Sequence, residues 1–325
     1  MLRRKLVLSV LSFSLLMGSA AAMAKTVFIA SDVHPADYPT TAAVIHMGEK
    51  LSQQTDGRLS IRMFPSGQMG DESTTLEKTR AGAIDILRVS MAPVGGILPQ
   101  VSVFNMPFVF RDTDHQHKVL DGDVGSKLAK EISDSNLGLV FLGWMDAGSR
   151  SLITKKPITT LDDLKGVKIR LQNNPIGLDT FKALGANPIV LPVGDVFASL
   201  QTGVIDAAEN NEPTFDTENY VVAGTKYFDL TEHFMIPEVL AFSKRKWSKL
   251  SAEDQALIMK LAKDAQAEER VLWAEYVEKS KQRLQSQGVK FLPVDKKPFV
   301  DATAPVREKY GKQFSDLMQE IQDTK

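Results

Sequence analysis

The chain has 325 residues, a formal net charge of −1 and no cysteine. The near-neutral charge argues against nucleic-acid binding, and the lack of cysteine excludes disulfides, thiol chemistry and a cysteine-linked lipid anchor. About 300 residues is more than one hydrophobic core usually serves, so two domains are expected.

Residues 1–24 have the pattern of a secretory signal peptide. A basic segment, MLRRK, precedes the short apolar run LVLSVLSFSLLMGSAAA and the small-x-small sequence Ala22-Met23-Ala24. Because the apolar run is barely long enough to span a membrane, cleavage after Ala24 is favoured over an anchor. The mature chain then begins at Lys25, and export predicts a protein of the periplasm or the medium.

Strands and helices alternate after Lys25. The first elements are a strand in KTVFIASD (25–32), a helix in YPTTAAVIHMGEKLSQQTDG (38–57), a strand in RLSIRMFPSG (58–67), a helix in DESTTLEKTRAGA (71–83) and a strand in IDILRVSM (84–91). Further strands are predicted at 137–145, 151–156, 167–172 and 188–191, with helices at 160–166, 177–185 and 193–203. This alternation is typical of α/β proteins, in which helices cover the faces of a sheet.

A single long helix is predicted near the C-terminus, at 251–288. It begins with Ser251 as a cap, with Glu253 close behind, and continues without proline or glycine for over thirty residues. Its apolar positions do not sustain regular heptads, so a helix packed across two domains is favoured over a coiled coil.

An arginine lies in the middle of one predicted strand. In GVKIRLQNN, apolar and polar residues alternate from 167 to 172, which is the pattern of a half-buried strand, and Arg170 is one of the alternating polar residues. A buried guanidinium requires an anion. On the residues alone, the anion is either a ligand or a protein carboxylate such as Asp146 or Glu209.

Many ordered segments of the chain resemble one protein family. The longest is KKPITTLDDLKGVKIRLQNNPIGLDTFKALGANPIVLPVGDVFASLQTGVIDAAENN (155–211), accompanied by HPADYPT, MGDESTTLEKTRAGAIDI, FNMPFVF, GSRSL and KWSKLSAEDQ. Together they resemble the solute-binding proteins of tripartite ATP-independent periplasmic (TRAP) transporters, the DctP-like family, over nearly the whole mature chain.

The resemblance implies an α/β fold of the two-domain periplasmic binding protein type, with hinge strands and a long helix that spans both domains. We expect residues 25–147 with about 237–275 to form domain I, and residues 148–236 with about 276–325 to form domain II. The resemblance implies no enzymatic activity and no cofactor.

Two arginines and an asparagine match general positions of the family. The resemblance implies that Arg170 pairs with a ligand carboxylate, for which the planar guanidinium can donate two parallel hydrogen bonds. It places Arg150, in GSRSL, and Asn210, in DAAEN, as further ligand contacts. The alternative for these two side chains is hydrogen bonding at the surface or the hinge.

A second set resembles the sub-group that binds hexuronates and related sugar acids. It comprises His34, Glu72 and Arg88, and the RLQNN sequence adds Gln172 and Asn174 as candidates for sugar hydroxyls. Two alternatives stay open: Glu72 could simply favour a helix N-terminus, and Arg88 could be a solvated charge at a strand end.

Other chemistries receive less support. His115 and His117 lack further metal ligands, so a solvated loop or helix face is favoured over a metal site. Adjacent carboxylates at Asp71 and Glu72 do not bracket a scissile bond, which argues against a glycosidase. Three aromatic residues could line a sugar site, although packing in the core is the commoner role: Phe64, Trp144 and Phe215.

The sequence therefore predicts a monomeric periplasmic protein that captures a hexuronate, such as glucuronate or galacturonate, and delivers it to a membrane permease of small and large subunits. One alternative is the same fold with another acid, such as 2,3-diketogulonate, a C4-dicarboxylate or an aromatic acid. The other is a secreted enzyme that acts on acidic sugars.

Overall fold

The computed structural model describes residues 25–325, so the predicted signal peptide at 1–24 lies outside the described residues. Several strands, such as those at 26–31 and 227–234, are rich in β-branched and aromatic residues, which favour strands. The strands are β1 (Thr26–Ser31), β2 (Leu59–Phe64), β3 (Ile86–Ser90), β4 (Leu139–Met145), β5 (Arg150–Thr154), β6 (Lys168–Leu171), β7 (Asn187–Val190), β8 (Ala207–Asn210), β9 (Tyr227–Phe234), β10 (Glu238–Ser243) and β11 (Lys290–Pro293).

Helices separate most of these strands. They are α1 (Pro39–Gln54), α2 (Glu72–Ala81), α3 (Met91–Gly95), α4 (Thr113–Asp121), α5 (Asp123–Asp134), α6 (Leu161–Leu164), α7 (Pro175–Ala183), α8 (Val196–Thr202), α9 (Glu212–Thr217), α10 (Lys244–Trp247), α11 (Ala252–Ser286), α12 (Lys296–Ala302), α13 (Ala304–Gly311) and α14 (Ser315–Asp323). Two 3-10 helices lie at Pro99–Asn105 and Val193–Asp195. Across residues 25–325, none of these helices combines the length and apolar content needed to cross a membrane.

The strands form two sheets. The first sheet has the order β2-β1-β3-β10-β4, in which β1 runs parallel to β2 and β3 while β10 runs antiparallel to β3 and β4. The second sheet has the order β11-β9-β5-β8-β6-β7, in which β6 is parallel to β7 and β8 while β5 is antiparallel to β8 and β9. The predicted mixed α/β class is confirmed.

The chain passes from one sheet to the other at residues 146–149 and 235–237, and a third time through the segment 244–289, which contains α11. The strands of the first sheet all lie in the two segments predicted for domain I, and those of the second sheet in the segments predicted for domain II. The last helix, α14, contacts α5 of the first side, where Lys127 Nζ lies 2.7 Å from a Glu320 carboxylate oxygen. The C-terminal end of predicted domain II thus returns to the other side.

The long helix predicted at 251–288 is confirmed as α11, a helix of 35 residues. It begins where the Ser251 hydroxyl accepts a hydrogen bond from the backbone N–H of Asp254, over 3.1 Å. Near its start, Ile258 and Leu261 pack in the core of the first sheet. Near its end, Leu284 packs in the core of the second sheet, so one helix contributes to both cores.

The region from 97 to 136 departs from the sequence-based expectations, because it forms a 3-10 helix and then α4 and α5. The expected solvated setting is wrong for His115, whereas His117 lies partly exposed on α4. His115 is buried, its Nδ1 accepting from the backbone N–H of Arg111 and its Nε2 donating to the carbonyl of Ile321, and His117 Nε2 lies 2.8 Å from Asp146 Oδ1. No three His, Asp or Glu side chains in residues 25–325 are grouped as a metal site.

A carboxyl group without a cationic partner is buried in the second sheet. Asp229, on β9, accepts hydrogen bonds from the Thr154 hydroxyl at 2.8 Å and the Ile158 N–H at 3.1 Å, both on Oδ2. Its other oxygen, Oδ1, is buried and has no partner among residues 25–325. Burial raises the pKa of Asp229 to about 6, despite these two hydrogen bonds.

We expect Asp229→Asn to stabilise the protein above pH 7. The folded pKa lies above the unfolded one, so ionisation of Asp229 lowers the free energy of unfolding as the pH rises through about 6. An uncharged amide avoids this loss and retains an acceptor oxygen, which should add roughly 1–3 kcal/mol at pH 8. Urea unfolding of both proteins at pH 5 and pH 8 measures the difference. A gain of the same size at both pH values would contradict this account.

Candidate functional site

Polar side chains collect where the strand ends of the two sheets face each other. On the first sheet, His34 follows β1, Arg88 lies at the centre of β3, and Glu238 opens the antiparallel β10 opposite Ser90. On the second sheet, Arg150 opens β5 and Asn210 closes β8 on the neighbouring strand. Arg170 and Gln172 mark the end of β6, beside β8. Strand ends at such an edge are where α/β sheets bind ligands.

A small cavity of about 20 Å³ lies between the two sheets. Seven of the eight predicted site residues line it: His34, Glu72, Arg88, Arg150, Arg170, Gln172 and Asn210. It adjoins a cleft of about 760 Å³, and the two share Val33, Glu72, Arg170, Gln172 and Val193. The structure thus brings together residues that are up to 205 positions apart in the chain, from Val33, just after β1, to Glu238 on β10.

Of the three arginines that line the cavity, Arg170 is the one without a carboxylate partner among residues 25–325. Its side chain is buried, with the residue only 3% exposed, and its one hydrogen bond within residues 25–325 runs from Nε to the Leu191 carbonyl, over 2.8 Å. No carboxylate of the described chain lies within ion-pair distance of it. Burial lowers its pKa, although Tyr220 and Glu209 oppose that change. The terminal nitrogens are therefore available to an anion that enters the cavity.

The two protein carboxylates that were alternatives for Arg170 have other partners. Asp146 pairs with His117, and Glu209 pairs with Arg150, whose Nε donates to Oε2 at 2.5 Å and whose Nη2 donates to Oε1 at 2.7 Å. Burial by itself would raise the pKa of Glu209, but the Arg150 guanidinium lowers it to about 2. Arg150 also donates to the Asn210 side chain at 2.9 Å, so most of the N–H groups of its guanidinium already have acceptors.

Arg88 is surrounded by three carboxylates. Its Nε donates to Asp32 at 3.0 Å, its Nη1 donates to Glu72 at 2.9 Å, and Nη1 also contacts Glu238. The residue is only 2% exposed, so the alternative of a solvated charge at a strand end is wrong. Arg88 lines the cavity, and its guanidinium holds these three carboxylates in place. Burial would raise the pKa of Asp32, but Arg88 and His34 lower it to about 2.

Glu72 lies at a helix N-terminus and also lines the cavity. It is the first residue of α2, where Asp71 provides the N-cap by accepting the N–H of Thr74, and a negative charge is favourable at this position. Its Oε1 also accepts from the backbone N–H of Ser90 at 3.0 Å. Its Oε2 faces the other sheet, where it accepts a hydrogen bond from Gln172 Nε2 at 3.3 Å.

His34 lines the cavity as a neutral ring. Its backbone N–H donates to Asp32 at 3.0 Å, and the ring stacks on Tyr38 with centroids 3.9 Å apart. Burial, followed by the charge of Arg88, lowers the pKa of His34 to about 3, so the imidazole is uncharged at neutral pH. Its Nδ1 is buried and has no partner among the described residues. A neutral imidazole can donate one hydrogen bond and accept another, as a hydroxyl ligand requires.

Asn174 has a different position from the other predicted site residues. It is the N-cap of α7, and its side-chain oxygen accepts from the Ile176 N–H at 3.0 Å. It lines neither the small cavity nor the cleft. Two aromatic candidates also lie away from both, because Phe215 and Trp144 are packed in the cores. Phe64 lies below the guanidinium of Arg62, 4.9 Å from its carbon.

Sequence reasoning missed two acidic residues of this site. Asp32 follows β1 directly and Glu238 begins β10, so both are charged residues at strand ends, a signal that could have identified them. Tyr38 was also missed as a contact across the cleft: its hydroxyl lies 3.2 Å from Thr214 Oγ1 and 3.5 Å from Asn211 Oδ1. These partners could not be read from spacing, because they lie more than 170 residues away.

Comparison with known proteins assigns the family. Residues 30–313 match DctP, described as bacterial extracellular solute-binding protein, family 7. A TRAP periplasmic solute-binding protein of Pseudomonas putida F1, solved with bound D-glucuronate, is 48% identical, with a TM-score of 0.90 over 92% of this chain and 97% of that one. One from Bradyrhizobium, in complex with α/β-D-galacturonate, is 41% identical, with a TM-score of 0.88 over 92% and 100%.

A third relative has been solved in two states. The TRAP solute-binding protein of Citrobacter koseri with bound D-glucuronate is 50% identical, with a TM-score of 0.90 over 92% of this chain and 100% of that one. Its apo, open structure gives a TM-score of 0.81 over 91% and 98%, at 48% identity. The present structure is thus closer to the ligand-bound form. The chain belongs to the DctP family of bacterial extracellular solute-binding proteins, and the predicted membership of the TRAP solute-binding proteins is confirmed.

Proposed function

We propose that this protein is the periplasmic solute-binding component of a TRAP transporter, that it captures a hexuronate such as D-glucuronate or D-galacturonate, and that it delivers the unchanged ligand to the membrane permease. The observation that carries the proposal is Arg170, a buried guanidinium with no carboxylate partner in residues 25–325. A ligand carboxylate supplies that partner and accepts two charge-assisted hydrogen bonds in the plane of the guanidinium group.

The other side chains of the cavity favour a sugar acid over other acids. A dicarboxylate needs a second uncompensated cation, but Arg88 and Arg150 are already paired with protein carboxylates. An aromatic acid needs aromatic walls, whereas only His34 contributes a ring to the cavity lining. Sugar hydroxyls need donors and acceptors, which Gln172 and Glu72 provide. The hexuronates bound by the relatives described above combine one carboxylate with several hydroxyls.

The ligand has to occupy more than the small cavity, because about 20 Å³ is close to the room that a single water needs. Arg170, Glu72 and Gln172 line both the cavity and the adjoining cleft, so a sugar acid that bridges the two contacts residues of both sheets. We infer that such a ligand draws the two sides together, as in the hinge closure of periplasmic binding proteins.

The proposal predicts selective stabilisation by sugar acids. In a thermal-shift assay of the mature chain, D-glucuronate or D-galacturonate at about 100 times its dissociation constant should add about 2.7 kcal/mol to the free energy of unfolding. The neutral sugars D-glucose and D-galactose are the matched controls, because they lack only the carboxylate, and they should have no effect. Stabilisation by succinate or benzoate alone would overturn the hexuronate assignment.

We expect Arg170→Ala to weaken hexuronate binding about 100-fold or more, since it removes two hydrogen bonds to a charged group. Arg170→Lys should recover only part of the affinity, because an ammonium cannot donate the parallel pair. The unliganded Ala variant should not unfold more easily than wild type, because the removed charge had no carboxylate partner. Calorimetric titration and urea unfolding measure the two quantities.

Arg245→Lys is the control for this substitution, because Arg245 is exposed and its guanidinium donates only to the Ala81 carbonyl, over 3.5 Å. It should leave affinity unchanged. Unaltered binding in both Arg170 variants would refute the carboxylate role.

Substitutions of Asn174 distinguish a helix-capping role from a ligand contact. Because its side chain caps α7 and lies outside the cavity, we expect Asn174→Ala to cost about 1 kcal/mol of stability and to leave hexuronate affinity unchanged. Asn174→Ser keeps a capping oxygen and should restore most of the stability. If the Ser variant is stable but binds tenfold more weakly, the sequence-based prediction of a ligand contact at Asn174 is correct.

A further inference from the structure

Carboxyl groups outnumber guanidinium groups around the small cavity. The cationic groups there are Arg88, Arg150 and Arg170. The carboxyl groups that line the cavity or bond directly to these arginines are Asp32, Glu72, Glu209 and Glu238. His34 adds no charge, because its pKa is lowered to about 3 by burial. An anionic ligand therefore enters a buried site that already carries an excess of acidic groups.

Among these carboxyl groups, Glu238 has the fewest hydrogen-bond donors: within residues 25–325 its side chain bonds only to Arg88 Nη1, whereas Glu72, on the same nitrogen, has two further donors. Asp32 and Glu209 are strongly held by Arg88 and Arg150, which keeps their pKa values at about 2. Glu238 instead shares one nitrogen of Arg88 with Glu72 and has no arginine of its own. Burial raises the pKa of Glu238 to about 7, with further increases from Glu72 and Asp32 and an opposing effect of Arg88.

We propose that Glu238 takes up a proton from solvent when the ligand binds, so that the protein captures an acidic sugar together with a proton. This inference rests on the proposed function. The added proton forms an O–H on the Glu238 carboxyl group and offsets the negative charge that the ligand brings into the cavity. The protonated carboxyl also supplies a donor in a cavity lined by acceptors.

The groups that face Glu238 come from several elements. Arg88 on β3 and Arg150 on β5 favour its ionised form, while Asp32 after β1 and Glu72 on α2 favour the protonated form. Two further neighbours have raised pKa values: burial raises the pKa of Tyr38, before α1, and burial, Asp146 and Glu238 itself raise the pKa of Glu269, on α11. The ligand carboxylate is the one added charge, and it shifts the balance towards protonation.

Calorimetric titration of the wild-type mature protein with D-glucuronate tests the proposal. In buffers of different ionisation enthalpy at pH 7, we expect uptake of about half a proton per ligand, since about half of the free protein already carries it. The dissociation constant should rise about five- to tenfold between pH 5.5 and pH 8.5. The ligand carboxyl stays ionised throughout this range, because carboxyl groups of this kind titrate near pH 3–4.

Glu238→Gln should abolish both the proton uptake and the pH dependence, because an amide does not titrate. Asp229→Asn is the matched control: it removes a buried carboxyl of raised pKa outside the cavity, and it should behave as wild type in these titrations. If the Gln variant does not bind, the proton count of the wild-type protein still decides the question.

Hexuronate binding without proton uptake in the wild-type protein would overturn the proton coupling and leave the proposed function standing. The same pH dependence in Glu238→Gln as in wild type would assign the proton to another group and also overturn the proposal. If no sugar acid produces heat or stabilisation at any pH, the proposed function fails, and the coupling fails with it.

Discussion

The site depends on the cost of burying three guanidinium groups between two sheets. The protein compensates them unequally: Arg88 has three carboxylates, Arg150 has one, and Arg170 has a single backbone carbonyl. A buried guanidinium that is bonded to protein carboxylates is held rigidly. A buried guanidinium without such a partner lowers the free-energy cost of burying a ligand anion beside it. This difference in pairing distinguishes two arginines that bond to protein carboxylates from the one that we propose binds the ligand.

The unequal pairing follows from the strand order. Arg150 and Glu209 lie on the adjacent antiparallel strands β5 and β8, where Leu152 is opposite Glu209, so the two side chains meet within one sheet. Arg88 lies on β3, between β1 and β10, and both neighbours contribute an acidic residue at the same edge. Arg170 has only β7 and β8 beside it, and the nearest backbone group is the Leu191 carbonyl that follows β7.

Much of this arrangement could be predicted from the sequence. Alternating patterns located the strands from β1 to β7, and the cap at Ser251 with an uninterrupted polar-apolar run located α11. The resemblance selected seven residues that the structure gathers at one cavity. Sequence patterns did not predict the helices between residues 97 and 136, because short helices packed on their neighbours have weak periodicity of their own.

Side-chain pairing was harder to predict than position. Arg88 fitted both a ligand contact and a solvated charge, and only the fold reveals that Asp32 and Glu238 surround it, since they come from strands 56 and 150 positions away. Asn174 matched a pattern for sugar hydroxyls, yet its local hydrogen bond to the Ile176 N–H makes it a helix cap. Local sequence cannot distinguish these roles, because the same side chain serves either one.

The contacts that the protein makes across its own cleft explain why a ligand can control closure. Gln172 donates to Glu72 at 3.3 Å, and the Tyr38 hydroxyl lies 3.2 Å from Thr214. Hydrogen bonds of this kind contribute only about 1 kcal/mol each, net of the bonds to water that they replace. The closed form without ligand is therefore held weakly. On the proposed function, a sugar acid bound between Arg170 and Glu72 makes both contacts only when the cleft is closed, so it would shift the equilibrium by its differential affinity for that state.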